Sequence, residues 1–348
     1  MTAVANPVRN RLDILEVPCS SATSFADDVA AALGRNPKQP VPPKYFYDDL
    51  GSALFDAITR LPEYYLTRAE TEILRVRGRE SVREFGAPFE LLELGSGSAI
   101  KTRLLIDEIL RLQGTLRFNL IEISREVLQA SSTALVDAYP SLLVRAYVGD
   151  YFDVLGSVAL RSSPRLKLLA LCMGSNIGNY HPADAQRLFA LLSQTLRPGD
   201  GLLLGTDLKK DAVRLERAYH DPGGVMGAFS KNLLTRMNRE LGANFDHRDF
   251  DLVARYDEER GSVDSFLRSR RSHDVTIPQG EMTLHFDEGE FVHTEWSVKF
   301  SVDDVVRLAS QNGFKLSKTW YDDSRSFAVH LLIRERSIVE VSAYDVRQ

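Results

Sequence analysis

The sequence predicts a doubly wound (Rossmann-like) α/β domain that carries an α+β insertion. Short apolar segments alternate with amphipathic ones between residues 89 and 207, which is typical of βαβ units around a parallel sheet. Beyond Asp207 the pattern changes to two helix-like segments followed by several strand-like ones, which indicates the insertion. One helix-like and two strand-like segments end the chain, and we expect them to complete the sheet.

The predicted elements follow from hydrophobic periodicity and from the residues that start and stop helices. Residues 1–40 are polar, and we expect from them only a short amphipathic helix around Ala22–Leu33. Further helices are predicted at Ser52–Ile58, Arg68–Glu84, Lys101–Leu112, Arg125–Tyr139, Pro182–Leu196, Ala212–Tyr219, Val225–Leu241 and Val302–Gln311. Strands are predicted at Phe89–Leu94, Phe118–Ile123, Leu143–Val148, Lys167–Met173, Gly201–Asp207, Lys315–Tyr321 and Phe327–Glu335. In the insertion, on which the N-terminal segment should pack, we expect a hairpin of Gly280–Phe286 and Phe291–Phe300 across Asp287–Gly289.

The composition argues against several classes of protein. The 348 residues carry a formal net charge of -5, whereas a nucleic-acid-binding protein usually has a basic surface. No apolar run approaches the roughly 20 residues that cross a membrane. Residues 1–12 lack the apolar core of a secretory signal, so we expect a cytoplasmic protein. Cys19 and Cys172 are too few, and the seven histidines too scattered, for a disulfide framework or a metal site.

A glycine-containing turn follows the first predicted strand of the α/β domain. The apolar run 89–94 leads into Gly95-Ser96-Gly97, and glycine allows both positive φ and close approach of a ligand to the backbone. The second strand ends near Glu122, where an acid suits a ribose. The turn lacks the third glycine of a dinucleotide fingerprint and the Gly-Lys-Ser/Thr of a phosphate cradle. These features indicate S-adenosylmethionine (SAM), which has no phosphate, rather than NAD or ATP.

Three more residues could complete a SAM site. Asp150 follows the third strand, where it could accept a hydrogen bond from the adenine amino group while Tyr151 stacks on the ring. The alternative for Asp150 is a helix N-cap. Lys101 is predicted to lie one turn into the first helix, within reach of the cofactor carboxylate. The alternative for Lys101 is an ordinary solvated lysine.

The segment Gly174–Asn179 follows the fourth strand, where a methyl acceptor would lie. A backbone carbonyl and an asparagine amide in this segment could orient an amine by hydrogen bonds. Methyl transfer from a sulfonium depends mainly on alignment, so such positioning could supply much of the catalysis. The alternative is a turn of small residues with a purely conformational role.

Several polar side chains are candidates for a substrate pocket. Tyr47, Tyr64, Tyr65 and Tyr219 could form its wall, although a tyrosine is more often half-buried in a core with its hydroxyl bonded. Glu295 and Ser297 are two residues apart in a predicted strand and therefore share one face. This pair would suit a polar or cationic side chain. The alternative is an exposed sheet face.

At these residues the chain resembles the histidine Nα-methyltransferases of ergothioneine biosynthesis. The resemblance covers about Val41–Phe300 and continues more weakly to the C-terminus. The motifs that carry it are Phe46–Asp48, Gly51–Asp56, Leu61–Arg68, Glu93–Gly97, Gly174–Asn179, Gly205–Asp211, Asn238–Ala243 and Thr294–Ser297.

The resemblance implies a class I methyltransferase that converts free L-histidine to its trimethylated betaine, hercynine, in three rounds, with S-adenosylhomocysteine (SAH) as the other product. Gly95, Lys101, Glu122 and Asp150 would contact the cofactor, with Tyr151 beside the adenine. Gly174 and Asn179 would be the catalytic residues that hold the substrate amine and carboxylate, with Tyr219 on the carboxylate. The imidazole would be surrounded by Tyr47, Tyr64, Glu295 and Ser297.

The resemblance also implies a division of the chain. Residues 18–69 and 210–298 would form the substrate-binding domain, residues 70–209 the SAM-binding domain, and residues 299–348 would complete its sheet. We expect a monomer whose partner is a small amino acid, with no nucleic acid and no membrane.

Two positions depart from the family pattern. Glu122 stands where the family has aspartate, which keeps the acid but lengthens its reach. Ser265 stands at a pocket position where the family has methionine, which enlarges the pocket or adds a polar contact. The alternatives are therefore methylation of another free amino acid, either a modified histidine or one of tryptophan type, and a SAM-binding protein without turnover.

Overall fold

The computed structural model describes residues 11–18, 23–157, 160 and 163–336 of the chain. Several expectations fall outside these ranges: residues 1–10 of the segment compared with a secretory signal, Cys19, the start of the first predicted helix at Ala22, and the C-terminal residues 337–348.

A central sheet of eight strands confirms the doubly wound α/β fold. Its spatial order is β1-β4-β3-β2-β5-β6-β13-β12. Neighbouring strands from β1 to β6 are parallel, whereas β13 runs antiparallel to both β6 and β12. The strands are β1 (Leu12–Glu16), β2 (Phe89–Leu94), β3 (Leu116–Glu122), β4 (Leu142–Val148), β5 (Lys167–Cys172), β6 (Gly201–Asp207), β12 (Phe314–Tyr321) and β13 (Phe327–Arg334).

Strand β1 corrects the interpretation of residues 1–40, which predicted only a helix there. Residues 12–16 add a parallel edge strand to β4, with Leu12 opposite Val144. Leu12 and Ile14 are half-buried, while the other three residues of the strand are exposed. A five-residue edge strand with one exposed face gives only a short and weak hydrophobic pattern, which explains why the sequence did not indicate it.

Ten helices are found in the described part of the chain, and the predicted ones are among them with small shifts at their ends. They are α1 (Phe25–Leu33), α2 (Asp49–Ile58), α3 (Tyr65–Phe85), α4 (Thr102–Gln113), α5 (Arg125–Ala138), α6 (Tyr151–Ser157), α7 (Pro182–Thr195), α8 (Ala212–Ala218), α9 (Val225–Leu241) and α10 (Val302–Gln311). Local signals set several starts: Ser24 and Ser301 each begin a helix with a reciprocal capping box. None of the described helices is long and apolar enough to cross a membrane.

The insertion between β6 and α10 contains α8, α9 and two small antiparallel sheets. One sheet has the order β11-β8-β7 and the other pairs β10 with β9. Their strands are β7 (Phe250–Asp257), β8 (Ser262–Ser269), β9 (His273–Ile277), β10 (Met282–Phe286) and β11 (Phe291–Val298).

The hairpin expected between residues 280–286 and 291–300 is wrong. β10 pairs with β9, and β11 pairs with β8. A short 3-10 turn at Pro278–Gly280, followed by Glu281 at φ 48°, returns the chain onto β9. The ring of Phe286 then packs 5.4 Å from the rings of both Phe250 and His273. Burial of this aromatic cluster fixes the pairing more strongly than the short Asp-Glu-Gly loop does.

The N-terminal segment packs on the insertion, as expected. Phe46 stacks on Phe229 of α9 with ring centroids 5.6 Å apart. Asp48 caps α2 through Gly51 N at 2.8 Å, and the same Oδ1 accepts a hydrogen bond from Asn232 Nδ2 at 2.7 Å. These contacts hold the 46–48 motif against α9, so Tyr47 has a fixed position. The residue bounds assigned to the two domains stay predictions.

Candidate active site

The candidate site lies where the strand order of the large sheet reverses. β2 is hydrogen-bonded to β3 on one side and to β5 on the other, so the connections from β2 diverge. In open α/β sheets this divergence leaves a crevice beyond the carboxyl ends of the strands, and ligands bind there. The glycine turn after β2 and the Gly174–Asn179 loop after β5 both face this crevice.

The glycine turn needs glycine at Gly95 for two reasons. Its φ of 69° is in the left-handed region. A Cβ there would also lie 3.2 Å from Asn176 Nδ2 and 3.7 Å from the ring of Tyr151. The side chains of Tyr151 and Asn176 thus lie next to the backbone of Gly95, which has no side chain of its own. This lets a nucleoside approach the backbone closely.

The Glu122 carboxylate holds the glycine turn after β2 through backbone hydrogen bonds. Its carboxylate accepts hydrogen bonds from the backbone N–H of Gly97 at 2.9 Å, Ile123 at 2.9 Å and Ser124 at 3.3 Å. The additional methylene of glutamate, compared with aspartate, allows the carboxylate to reach back to Gly97. An ionised carboxylate has about four acceptor sites, so capacity for a ribose hydroxyl is left.

Asp150 combines the two roles considered for it from the sequence. Oδ1 accepts a hydrogen bond from Phe152 N at 2.9 Å, which is an N-cap contact for α6. Oδ2 makes no hydrogen bond within the described residues and is available to an adenine amino group. Tyr151 starts α6, with its ring centroid 6.3 Å from that of Tyr180. The capping contact therefore does not exclude the predicted adenine contact.

Lys101 is held by a buried carboxylate that sequence reasoning missed. It immediately precedes α4 rather than lying one turn inside it, and its ammonium forms an ion pair with Glu70 of α3. Glu70 is fully buried, and its Oε1 accepts a hydrogen bond from Gly174 N at 2.8 Å. Gly205 leaves room for it, since a Cβ there would lie 2.1 Å from Glu70 Oε1. One carboxylate thus joins the lysine predicted to bind the cofactor to the loop predicted to bind the amine.

The signal for Glu70 was present in the helical periodicity. Leu66, Ile73 and Leu74 form the buried stripe of α3, and Glu70 occupies the same stripe. A charged residue in such a stripe is buried only when it is paired or otherwise compensated.

The Gly174–Asn179 loop has strained backbone and packs directly against β11. Gly174 has φ 73°, and Ser175, although not glycine, has φ 58°. Such backbone is held in place by its surroundings and concentrates at functional sites. A Cβ on Gly178 would lie 2.6 Å from Val298 O, and Trp296 Nε1 donates a hydrogen bond to Asn179 O at 3.1 Å. The loop and the strand that carries Glu295 and Ser297 therefore form one unit.

Three of the four predicted pocket tyrosines, Tyr47, Tyr64 and Tyr219, are close to one another and to Glu295. The hydroxyl of the fourth, Tyr65, donates a hydrogen bond to Asp207 at 2.8 Å. The ring of Tyr64 lies 6.2 Å from that of Tyr219. Burial, followed by the Glu295 carboxylate and the Tyr64 hydroxyl, raises the pKa of Tyr47, and Tyr151 and Glu122 add to the shift. Burial also raises the pKa of Tyr64 and of Tyr219. Tyr47 therefore faces residues of both the cofactor and the substrate groups, and all three phenols stay neutral near pH 7.

Glu295 and Ser297 lie on one face of β11, and that face is not an exposed sheet surface. Ser297 is 3% exposed, and Ser265, which pairs with Glu295 across the sheet, is 5% exposed. Burial raises the pKa of Glu295 to about 7, against a lowering effect of Lys299. A carboxyl group with this pKa changes charge near neutral pH. The small side chain of Ser265 beside it leaves more room than methionine would.

Tyr219 and Ser297 are joined to a buried ion pair that sequence reasoning also missed. The Tyr219 hydroxyl donates a hydrogen bond to Ser297 Oγ at 2.7 Å, and Lys299 Nζ lies 2.9 Å from Asp207 Oδ2. Lys299 could have been found, because strand alternation places residues 295, 297 and 299 on the same face. A phenol has one proton, and that of Tyr219 goes to Ser297 here, so the predicted contact of Tyr219 with a substrate carboxylate would need the proton to turn away and stays a prediction.

The residues around the crevice fit SAM. The bare turn at Gly95 allows close approach of the nucleoside, Glu122 and Asp150 have acceptor capacity for its ribose and adenine, and Lys101 supplies a cation for its carboxylate. Among the described residues, no group of three or more His, Cys, Asp or Glu could hold a metal ion. The expectation of no metal stays a prediction.

Known proteins are similar to this chain over most of its length. A family model described as "Histidine-specific methyltransferase, SAM-dependent" matches residues 25–334. The histidine N-alpha-methyltransferase of Mycolicibacterium smegmatis is 40% identical over 316 residues, which is 90% of this chain and 96% of that protein. The protein of the same name from Mycobacterium tuberculosis is 42% identical over 305 residues, 87% of this chain and 93% of that protein. An L-tryptophan methyltransferase of Psilocybe serbica is 26% identical over 316 residues, 83% of this chain and 87% of that protein. The chain therefore belongs to the family of SAM-dependent, histidine-specific methyltransferases, as its motifs predicted.

Proposed function

We propose that this protein transfers three methyl groups, one after another, from SAM to the α-amino group of free L-histidine and so forms hercynine. The observation that carries the proposal is the placement of Glu295 and Ser297. Both lie on β11, and the Gly174–Asn179 loop is seated on the same strand. An amino acid whose amine lies at the loop would therefore extend its side chain toward a carboxylate and a hydroxyl.

The cofactor, when bound, supplies a methyl group on a positively charged sulfur, and the protein supplies alignment. Gly174 and Asn179 would hold the amine with its lone pair toward that methyl group. Glu70 supports this geometry, because it fixes the Gly174 backbone and the Lys101 ammonium together. Alignment of this kind lowers the entropic part of the barrier.

Among the described residues, the tyrosines near the predicted amine position offer no strong base. The pKa values of Tyr47, Tyr64 and Tyr219 are all raised by burial, so their phenols keep their protons near neutral pH. The substrate ammonium would therefore lose its proton to water before each transfer, and the pH dependence of the rate would follow the amine.

The side-chain pocket favours imidazole. Glu295 can accept a hydrogen bond from a ring N–H, and Ser297 can bond the other ring nitrogen. The neighbouring Ser265 favours a second candidate, a free amino acid with a larger ring such as a modified histidine or a tryptophan-type substrate. Ser297 opposes a tryptophan-type ring, because an indole has an N–H for Glu295 but no second ring nitrogen for the Ser297 hydroxyl to bond.

Two further expectations accompany the function. We infer a cytoplasmic monomer in which residues 18–69 and 210–298 form the substrate-binding domain, residues 70–209 form the SAM-binding domain, and residues 299–348 complete its sheet. Light scattering of the purified protein tests the monomer, and separate expression of residues 210–298 would show whether the insertion folds without the rest.

The test of the function is incubation with SAM and each of the twenty amino acids, followed by product masses. Histidine alone should gain three methyl groups. Methylation of tryptophan instead would select the second candidate and assign the change in specificity to the pocket around Ser265. Tight SAH binding without any methylated product would contradict methylation of histidine and of tryptophan, and it would leave either a modified amino acid as the substrate or a SAM-binding protein without turnover.

A further inference from the structure

A lysine that touches neither predicted ligand is buried directly behind the substrate pocket. Lys299 follows β11, is 0% exposed, and forms an ion pair at 2.9 Å with Asp207, which is equally buried at the end of β6. Asp207 has other partners as well: the Tyr65 hydroxyl donates to it at 2.8 Å, and Lys210 Nζ lies 2.5 Å away. A charge buried this deeply is tolerated only because it is paired.

The Lys299 ammonium has three N–H donors, and each has a partner. Besides Asp207, they are the Tyr219 hydroxyl at 2.8 Å and Ser297 Oγ at 2.9 Å. An ammonium has no acceptor capacity, so the hydroxyl oxygens of Tyr219 and Ser297 must both accept from it. The direction of these two hydrogen bonds is therefore fixed by chemistry.

This arrangement determines what Ser297 can offer a ligand. A serine hydroxyl has two acceptor sites and one proton. Lys299 occupies one acceptor site and the Tyr219 hydroxyl, which donates at 2.7 Å, occupies the other. The remaining group is the proton, so Ser297 faces the pocket as a donor, whereas the ionised Glu295 faces it as an acceptor.

We propose that Lys299 is a positioning residue for substrate recognition, because with Tyr219 it fixes the Ser297 hydroxyl as a hydrogen-bond donor. The pocket therefore selects a ring with one N–H and one bare nitrogen, that is, a nitrogen that carries no hydrogen and can accept a hydrogen bond. The inference rests on the proposed function, because it takes the imidazole of histidine to lie between Glu295 and Ser297. A neutral imidazole meets both requirements. An indole or a pyrrole has the N–H but lacks the bare nitrogen.

The experiment measures binding of histidine and of 3-pyrrolylalanine, which has CH in place of the acceptor nitrogen, to the protein saturated with SAH. The wild type should bind histidine about tenfold more tightly than the analogue, the size expected for one hydrogen bond. Lys299→Met should lower that preference to within about twofold while SAH affinity stays within about twofold of wild type. Because Lys210 still pairs with Asp207 in this variant, the carboxylate is not left without a cation.

A double-mutant cycle separates positioning from a general structural role. If Lys299 acts through Ser297, Lys299→Met should reduce histidine affinity in the wild type but add little in a Ser297→Ala background. Equal losses in both backgrounds, a parallel fall in SAH affinity, or an unchanged preference for histidine would overturn the inference. Should Lys299→Met not fold, Tyr219→Phe removes the other donor to Ser297 and must lower the preference too. A wild type that binds SAH but no histidine would refute the proposed function, and this inference with it.

Discussion

The two ends of the candidate site are built differently. The cofactor end consists of Gly95, Glu122, Asp150 and their neighbours, which come from 58 consecutive positions, 95–152, at the ends of adjacent parallel strands. The substrate end combines Tyr47, Tyr219, Glu295 and Ser297, which come from the N-terminal segment and distant parts of the insertion. The first end presents mainly backbone and short turns, and the second presents side chains held by buried charges.

The difference indicates how each end can change. A turn fixed by glycine conformations and backbone hydrogen bonds tolerates little substitution, so its ligand should be the same throughout such a family. A pocket of side chains on separate elements can exchange one residue, as Ser265 illustrates, while the rest keeps its geometry. The two ends should therefore respond independently to mutation, except where Glu70 joins them.

The largest effect is expected from Glu122→Ala. The variant loses an acceptor for three backbone N–H groups of the cofactor turn, together with the predicted ribose contact. SAH affinity should fall about 100-fold, since hydrogen bonds to charged groups are the stronger ones. Calorimetry measures this, with the exposed Asp137→Ala as the matched control. SAH affinity within threefold of the control would show that the turn does not depend on Glu122.

Glu295→Ala should weaken ligand binding at the substrate end only. The imidazole N–H would lose its acceptor, so histidine affinity at saturating SAH should fall about 30-fold while SAH affinity stays unchanged. Glu288→Ala, in the exposed loop before β11, controls for loss of a negative charge. Unaltered histidine affinity in Glu295→Ala would mean that the side chain of the substrate is bound elsewhere.

Glu70 tests the connection between the ends. Glu70→Gln keeps an oxygen for Gly174 N but loses the charge opposite Lys101, so it should weaken SAH binding about tenfold and leave histidine binding at saturating SAH intact. Glu70→Ala loses both contacts and should weaken both ligands. The exposed Glu84→Gln on the same helix is the control. Identical behaviour of the alanine and glutamine variants would argue against a bridging role.

The smallest effect concerns pH. Burial raises the pKa of Glu295 to about 7, so the carboxyl is mostly protonated at pH 6 and mostly ionised at pH 8. An ionised Glu295 is the better acceptor, and histidine affinity of the wild type relative to Glu295→Gln should rise about fivefold over this range. The ionisations of histidine itself affect both proteins and cancel in the ratio. A ratio that is flat or falls with pH would contradict the assigned role.

Local sequence features specify more of the cofactor end than of the substrate end, for physical reasons. Positive φ at Gly95 and acids at strand ends are local features, so they can be recognised without the fold. Glu70 and Lys299 act through partners more than 90 positions away, Gly174 and Asp207, and only the tertiary structure brings these together. The pairing of β10 with β9 was mistaken for a similar reason, because the cluster around Phe286 decided it rather than the intervening loop.

The most direct test is a crystal structure of the protein with SAH and L-histidine. We expect an imidazole with one nitrogen about 3 Å from the Glu295 carboxylate and the other about 3 Å from Ser297 Oγ. We also expect the α-amino nitrogen at Gly174 and Asn179, facing the sulfur of SAH. An imidazole bound away from β11, or an amine directed away from the sulfur, would contradict the proposed function.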